Sequence, residues 1–100
     1  MATPGKLVGR DGPLSTEVLS RVLAINTVGT VAMMAQAAAA MRTQEPLGED
    51  RGVIVNTASV AAYDGQIGQI AYSASKGAVV ALTLPAAREL ASSQLSLIHI

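Results

Sequence analysis

One short apolar run does most to limit the folds that this sequence can adopt. Val53, Ile54 and Val55 are consecutive β-branched residues with no polar residue between them. A strand with one face in water alternates apolar and polar residues, whereas an uninterrupted run is typical of a central strand of a parallel sheet, buried on both faces. We expect this strand to end near Ala58. The rest of the chain must then supply layers that cover both faces.

A first helical pattern precedes this strand. Ser15 can cap it, and the pattern is predicted to extend to about Arg42. Its apolar face is formed by Val18, Val22, Ile25, Gly29 and Met33. The pattern is long for one straight helix, and it has weak helix formers around Asn26. We therefore expect the helix to bend near Asn26.

A second helical pattern follows the strand, from Tyr72 to about Ala91. Its first sixteen residues carry a single charge, Lys76. A helix this apolar is typically covered on every side, either by its own domain or by a partner. Pro85 within it removes one backbone hydrogen bond.

The order helix, strand, helix predicts an α/β fold. Because one strand cannot form a sheet, we predict that residues 1–94 are a helix–strand–helix part of a doubly wound parallel-sheet domain. Residues 1–14, 43–52 and 59–71 are predicted to be loops, since they hold the Gly, Pro and polar residues. Residues 95–100 resemble a translated sequencing adapter, and we expect a non-native tail outside the fold.

Composition narrows the classes of function. Seven basic and seven acidic residues cancel, so no basic surface suggests a nucleic-acid partner. The chain has no Cys, and its one His lies in the suspected tail, so we expect no metal site. The N-terminus has no apolar run typical of a signal peptide, and no uninterrupted apolar segment reaches the ~18 residues of a membrane span. We expect a cytoplasmic protein without a membrane partner.

Three polar residues near the end of the strand suggest a reaction. Tyr72 and Lys76 are four residues apart, which places both on one face of the second helix. Ser59 follows the strand at the edge where open α/β sheets bind ligands. An ammonium group near a phenol favours the phenolate, so the tyrosine can act as an acid or base on an alcohol or carbonyl, and the serine can donate to the same oxygen. The alternative is structural: a half-buried Tyr, a solvated Lys and a loop Ser.

Three motifs that contain these residues resemble the short-chain dehydrogenase/reductase family: Ile25–Thr30, Asn56–Ser59 and Ala71–Gly77. The resemblance covers about residues 1–92. It implies a Rossmann fold, interconversion of a secondary alcohol and a ketone, and NAD as cofactor, with NADP as the alternative. The stretch Val53–Leu84 most resembles the branch of the family that acts on 3-hydroxyacyl-CoA.

The resemblance also implies roles for individual residues. Tyr72 would be the catalytic acid/base, and Lys76 would assist it. Both would contact the cofactor, Lys76 through the nicotinamide ribose. Ser59 would orient the substrate oxygen. Asn26 would lie at the helix bend, where a freed backbone carbonyl holds a water of the proton relay.

Other features stay open between two interpretations. Gln66 and Gln69 precede the second helix and are either substrate contacts or solvated loop amides. The apolar segment Ala78–Leu82 resembles the pairing surface of family dimers and tetramers, although packing within one subunit would also explain it. The family's glycine-rich phosphate loop is not found, so we expect an internal fragment of a dehydrogenase. The alternatives are a truncated inactive chain and a helical module that pairs through its apolar faces.

Overall fold

The computed structural model describes residues 4–45 and 51–99. Its long helices pack beside a parallel pair of strands, and a short antiparallel hairpin precedes them. The elements, in chain order, are β1 (Val8–Gly9), β2 (Gly12–Pro13), α1 (Thr16–Leu23), a π-helical turn (Ala24–Val28), α2 (Gly29–Met41), β3 (Gly52–Asn56), a 3-10 turn (Val60–Ala62), α3 (Ile70–Ala91) and β4 (Leu95–His99). The predicted order of helix, strand and helix is confirmed.

The predicted interruption near Asn26 is a π-helical turn. Ser15 caps α1 as expected, since its hydroxyl accepts a hydrogen bond from the Val18 amide at 3.4 Å. The turn then closes when the Gly29 amide donates to the Ala24 carbonyl, five residues back instead of four. Asn26 lies at the centre of this turn.

The π turn changes which residues face the core. Val22, Asn26 and Met34 are buried, whereas Ile25 and Met33 are 50% and 69% exposed. A turn that takes an extra residue rotates everything after it relative to a continuous α-helix. The prediction that Ile25 and Met33 share the buried face is therefore wrong.

The strand run forms part of a parallel sheet, as predicted, but only one of its faces is covered. β3 pairs in parallel with β4. Ile54 is buried, whereas Val53 and Val55 are 54% and 55% exposed. The expected burial on both faces is wrong for this chain, because the described residues pack only against the side of the sheet that Ile54 faces.

Strand β4 corrects the exclusion of the last residues from the fold. Leu95 lies opposite Gly52 and His99 lies opposite Asn56. Leu95 is buried. Side chains alternate between the two faces of a strand, and Leu95 is on the covered face. The non-native origin of residues 95–100 stays a prediction.

All three predicted loops contain some structure, since residues 59–71 include the 3-10 turn and the first two residues of α3. Residues 8–13 form an antiparallel two-stranded hairpin, and Gly5 donates its amide to the Gly68 carbonyl at 2.9 Å. This contact ties the N-terminal segment to the loop before α3. The predicted connection at 43–52 lies partly outside the described residues, and its last residue, Gly52, belongs to β3.

Helix α3 begins two residues earlier than predicted and continues through Pro85. A single stripe of this helix is buried, formed by Ala71, Ser75 and Val79. The expectation of cover on every side is therefore not met within this chain, and Leu84 is largely exposed.

Both long helical stretches, Thr16–Met41 and Ile70–Ala91, are long and apolar enough to cross a membrane. Core helices of soluble domains have the same length and mean hydropathy, so this is weak evidence for a membrane span.

The exposed sheet face predicts how the 100-residue chain behaves when it is expressed alone. We expect it to aggregate, and we expect Val53→Thr/Val55→Thr to reduce light scattering, because threonine keeps the β-branch while adding a hydroxyl to the exposed face.

Ile54→Thr is the matched control. It places a hydroxyl on the buried side of the same strand, so it should lower the helical circular dichroism and leave the scattering high. Equal effects of the two changes would contradict the assignment of the exposed face.

Candidate active site

Lys76 joins the end of β3 to the first turns of α3. Its Nζ atom donates a hydrogen bond to the Thr57 carbonyl, just beyond the strand, at 3.1 Å. The same nitrogen lies 5.9 Å from the centre of the Tyr72 ring. The predicted placement of Tyr72 and Lys76 on one helical face is confirmed, and that face is turned toward the carboxyl end of the strand.

Ser59 is held at the start of the 3-10 turn. Its hydroxyl accepts a hydrogen bond from the Ala61 amide at 3.2 Å. A hydroxyl that accepts one bond keeps its own hydrogen for donation to another group. Ser59 also lines a cavity of about 570 Å³, together with Thr57 and Val80 among others. The cavity opens at the same edge of the sheet as Lys76, which leaves room for a small molecule beside the hydroxyl.

Asn26 contacts α3 at Ser75, on a side of the helix that adjoins the side of Lys76. The side chain is 7% exposed, and its Nδ2 atom donates to the Ser75 hydroxyl at 3.0 Å. Its backbone carbonyl accepts a bond from the Thr30 hydroxyl at 2.6 Å. The role in a proton relay stays a prediction.

The two glutamines are close together in the loop before α3. The Gln69 Oε1 atom accepts a hydrogen bond from the Gln66 amide at 2.8 Å, which closes the turn that leads into the helix. Gln69 thus stabilises this turn. Contact of either side chain with substrate stays a prediction.

Two residues that the sequence did not single out complete the packing behind the site. Ser75 receives the Asn26 bond, and Thr27 donates to the Ser75 carbonyl at 3.0 Å. A pattern in the sequence could have identified Ser75, because it lies four residues from both Ala71 and Val79 on an otherwise apolar stripe. A polar residue on a buried stripe requires a hydrogen-bond partner.

The parallel strands, the connecting helix and the Tyr–Lys pair at the strand's carboxyl end together form a candidate site on an α/β fold. A sequence profile described as short chain dehydrogenase matches residues 8–100, so the chain belongs to this family.

Several known proteins are similar to the chain. It is 60% identical over 77 residues to 3-hydroxyacyl-CoA dehydrogenase type-2 of Drosophila melanogaster, a match that covers 76% of this chain and 30% of the relative. The crystal structure of 3-hydroxyacyl-CoA dehydrogenase type-2 from Mycobacterium avium superposes with a TM-score of 0.95 at 36% identity. That match covers 99% of this chain and 40% of the other, which confirms a partial Rossmann-type fold.

An NAD+-bound xylitol dehydrogenase structure also superposes on this chain. Its TM-score is 0.71 at 36% identity, over 82% of this chain and 30% of that one. The chain therefore spans less than half the length of each of these relatives.

Gly65 tests the packing of the loop against α3. A Cβ atom at this position would collide with the Ser73 hydroxyl. In the complete protein, expressed from its whole gene, we expect Gly65→Ala to lower the free energy of unfolding by about 1–3 kcal/mol, as overpacking does.

Gly77→Ala is the control for this change. The nearest atom to a Cβ there is the Ala62 carbonyl oxygen at 4.0 Å. Alanine suits a helix interior better than glycine, so we expect a gain of about 0.5–1 kcal/mol. Thermal unfolding measures both, and a neutral Gly65→Ala variant would contradict the described contact.

Proposed function

We propose that the complete protein is an oxidoreductase that interconverts a secondary alcohol and a ketone, with a 3-hydroxyacyl-CoA or a similar compound as substrate. Membership of the short chain dehydrogenase family supports the reaction type. Similarity to a relative named 3-hydroxyacyl-CoA dehydrogenase type-2 supports the substrate class. The observation that carries the proposal is the position of the Lys76 amino group between the Thr57 carbonyl and the Tyr72 ring.

We also infer that this chain is an internal part of that enzyme. Val55 and Ile98 are neighbours across the strand pair, and both are exposed, as is Val53. An apolar sheet face of this kind is normally covered by another layer in an α/β domain. The radius of gyration is 16.2 Å, against about 13 Å for a compact domain of this length. Residues outside this chain would then supply the missing layer and the glycine-rich phosphate loop.

The chain's own residues account for the movement of the proton. During reduction the Tyr72 hydroxyl gives its proton to the ketone oxygen, and during oxidation the phenolate takes it back. The Lys76 ammonium group lies beside the ring, 5.9 Å from its centre. The Ser59 hydroxyl donates a hydrogen bond to the same substrate oxygen and so stabilises the charge that develops there. The nicotinamide, when bound, supplies or accepts the hydride at the adjacent carbon.

The residues present fit a nicotinamide cofactor. A lysine ammonium group has three N–H donors, and the Thr57 carbonyl takes one from Lys76. The other two would be able to donate to the ribose hydroxyls of the cofactor. We propose NAD instead of NADP, since the similar xylitol dehydrogenase structure is described as NAD+-bound.

We further propose that the complete protein is a cytoplasmic homo-oligomer. Exposed apolar residues on α2 and α3, including Val31 and Leu84, support a surface between copies. Within the segment Ala78–Leu82, Val79 is wholly buried inside the chain, so only its neighbours remain for such a contact. Gln66 and Gln69 stay candidate substrate contacts, with Gln66 the more accessible of the two.

The same exposed residues would also suit a helical module that pairs with a partner and has no catalytic role. That alternative predicts that nucleotide leaves the complete protein's stability unchanged, whereas the proposed enzyme gains thermal stability with NADH.

Replacement of Tyr72 by Phe tests the proposed reaction. In the complete protein we expect kcat for reduction of a short-chain 3-ketoacyl-CoA with NADH to fall by about 10²–10⁴-fold, the usual contribution of a general acid.

Thr83→Val is the control, because it removes a hydroxyl from the same helix that bonds only the Val79 carbonyl among the described contacts. It should leave kcat within about 3-fold of the unmodified enzyme. Near-normal turnover in Tyr72→Phe would contradict the proposed mechanism.

The choice of cofactor is tested separately. We expect kcat/KM for NADH to exceed that for NADPH by at least about 10-fold, the equivalent of one modest binding contact. A preference for NADPH would correct the cofactor and leave the role of Tyr72 in place.

A further inference from the structure

Ser75 is the most buried polar residue among those that the structure describes. Its side chain is 0% exposed, and it lies three residues after Tyr72 and one before Lys76. The hydroxyl accepts from Asn26 Nδ2 at 3.0 Å and donates to the Tyr72 carbonyl at 2.7 Å. Since burying a polar group is unfavourable unless it is hydrogen-bonded, these two bonds define where Ser75 can lie.

The backbone of Ser75 is also held. Its carbonyl accepts a bond from the Thr27 hydroxyl at 3.0 Å. Two consecutive residues of the π-helical turn, Asn26 and Thr27, therefore bond to one residue of α3, one through its side chain and the other through its backbone. Two bonds of this kind restrict both sliding and rotation of α3 against the turn.

The second connection of α3 is the bond from Lys76 to the Thr57 carbonyl at 3.1 Å. Residues 75 and 76 thus connect adjoining sides of α3 to the π turn and to the end of β3. Tyr72 lies one turn earlier, and its own carbonyl is the acceptor of the Ser75 hydroxyl. A change at Ser75 reaches the peptide of Tyr72 directly.

We infer that Ser75 is a positioning residue for the proposed reaction: with Asn26 and Thr27 it sets the orientation in which α3 presents Tyr72 and Lys76 to the substrate. This inference rests on the proposed function. Ser75 itself touches no reacting atom. It acts through the geometry of proton transfer, which is sensitive to displacements of about 1 Å.

Ser75→Ala in the complete protein tests this inference. We expect kcat to fall about 10–100-fold, since a small misplacement of a catalytic group has an effect of that size. KM for the substrate should stay within about 3-fold, because the binding surface is not altered. The pH at which kcat is half-maximal should also move, since the Tyr72–Lys76 geometry changes. A purely structural role would leave that pH unchanged in the folded fraction.

Ser73→Ala is the matched control. Ser73 is also next to Tyr72 on α3, and its hydroxyl is buried without a hydrogen-bond partner in the described part of the chain. Its removal should leave kcat and KM within about 3-fold of their original values and the pH profile unshifted. Here kcat is expressed per folded molecule. If Ser75→Ala then behaves like Ser73→Ala, the inference is overturned.

If Ser75→Ala does not fold, Thr27→Val tests the positioning role of Ser75 instead. It keeps the side-chain shape and removes only the bond to the Ser75 carbonyl. We expect kcat to fall about 3–10-fold with the same shift of the pH profile, a smaller effect because the bond from Asn26 remains. Unchanged kcat and an unchanged profile would overturn the inference. An unmodified protein that is folded but inactive would instead refute the proposed function.

Discussion

A hydrogen bond between two buried polar side chains determines how the helices of this chain fit together. The Asn26 amide would be unsatisfied in an apolar contact, and leaving such a group without a partner costs about 1–3 kcal/mol. The Ser75 hydroxyl provides the partner at 3.0 Å. Asn26 lies at the centre of the π-helical turn, which changes the residues that face the core after it. The helical interruption and the packing of α3 are therefore two parts of one arrangement.

The candidate active site lies on the adjoining side of α3, and it depends on this packing. Lys76 bonds the carbonyl of Thr57, so the helix is attached to the strand end as well as to the π turn. Tyr72 lies one turn before these two attachments on the same helix. Neither the phenol nor the ammonium group is held by a charged partner among the described contacts. Their relative position follows from the backbone of α3.

Local patterns in the sequence predicted the long helices, strand β3 and the Tyr–Lys face, because helical spacing and a β-branched run depend only on neighbouring residues. The partner of Asn26 could not be predicted in this way, since Ser75 is 49 residues away. The change of the buried face after Asn26 was missed, because a continuous 3.6-residue period does not allow for a π turn. The exposed face of β3 was missed for another reason. The apolar pattern of a strand shows which residues can be buried, but it does not show which segments of the chain will cover each face.

We propose that this chain carries the acid/base residues of a dehydrogenase whose cofactor cradle comes from residues outside it. Sequencing the gene on both sides of this reading frame tests this proposal. We expect the frame to continue upstream through a strand, a glycine-rich loop and a helix, and other codons to replace those for residues 95–100. An in-frame stop codon directly before Met1, with Leu95–Ile100 encoded in the genome, would contradict it.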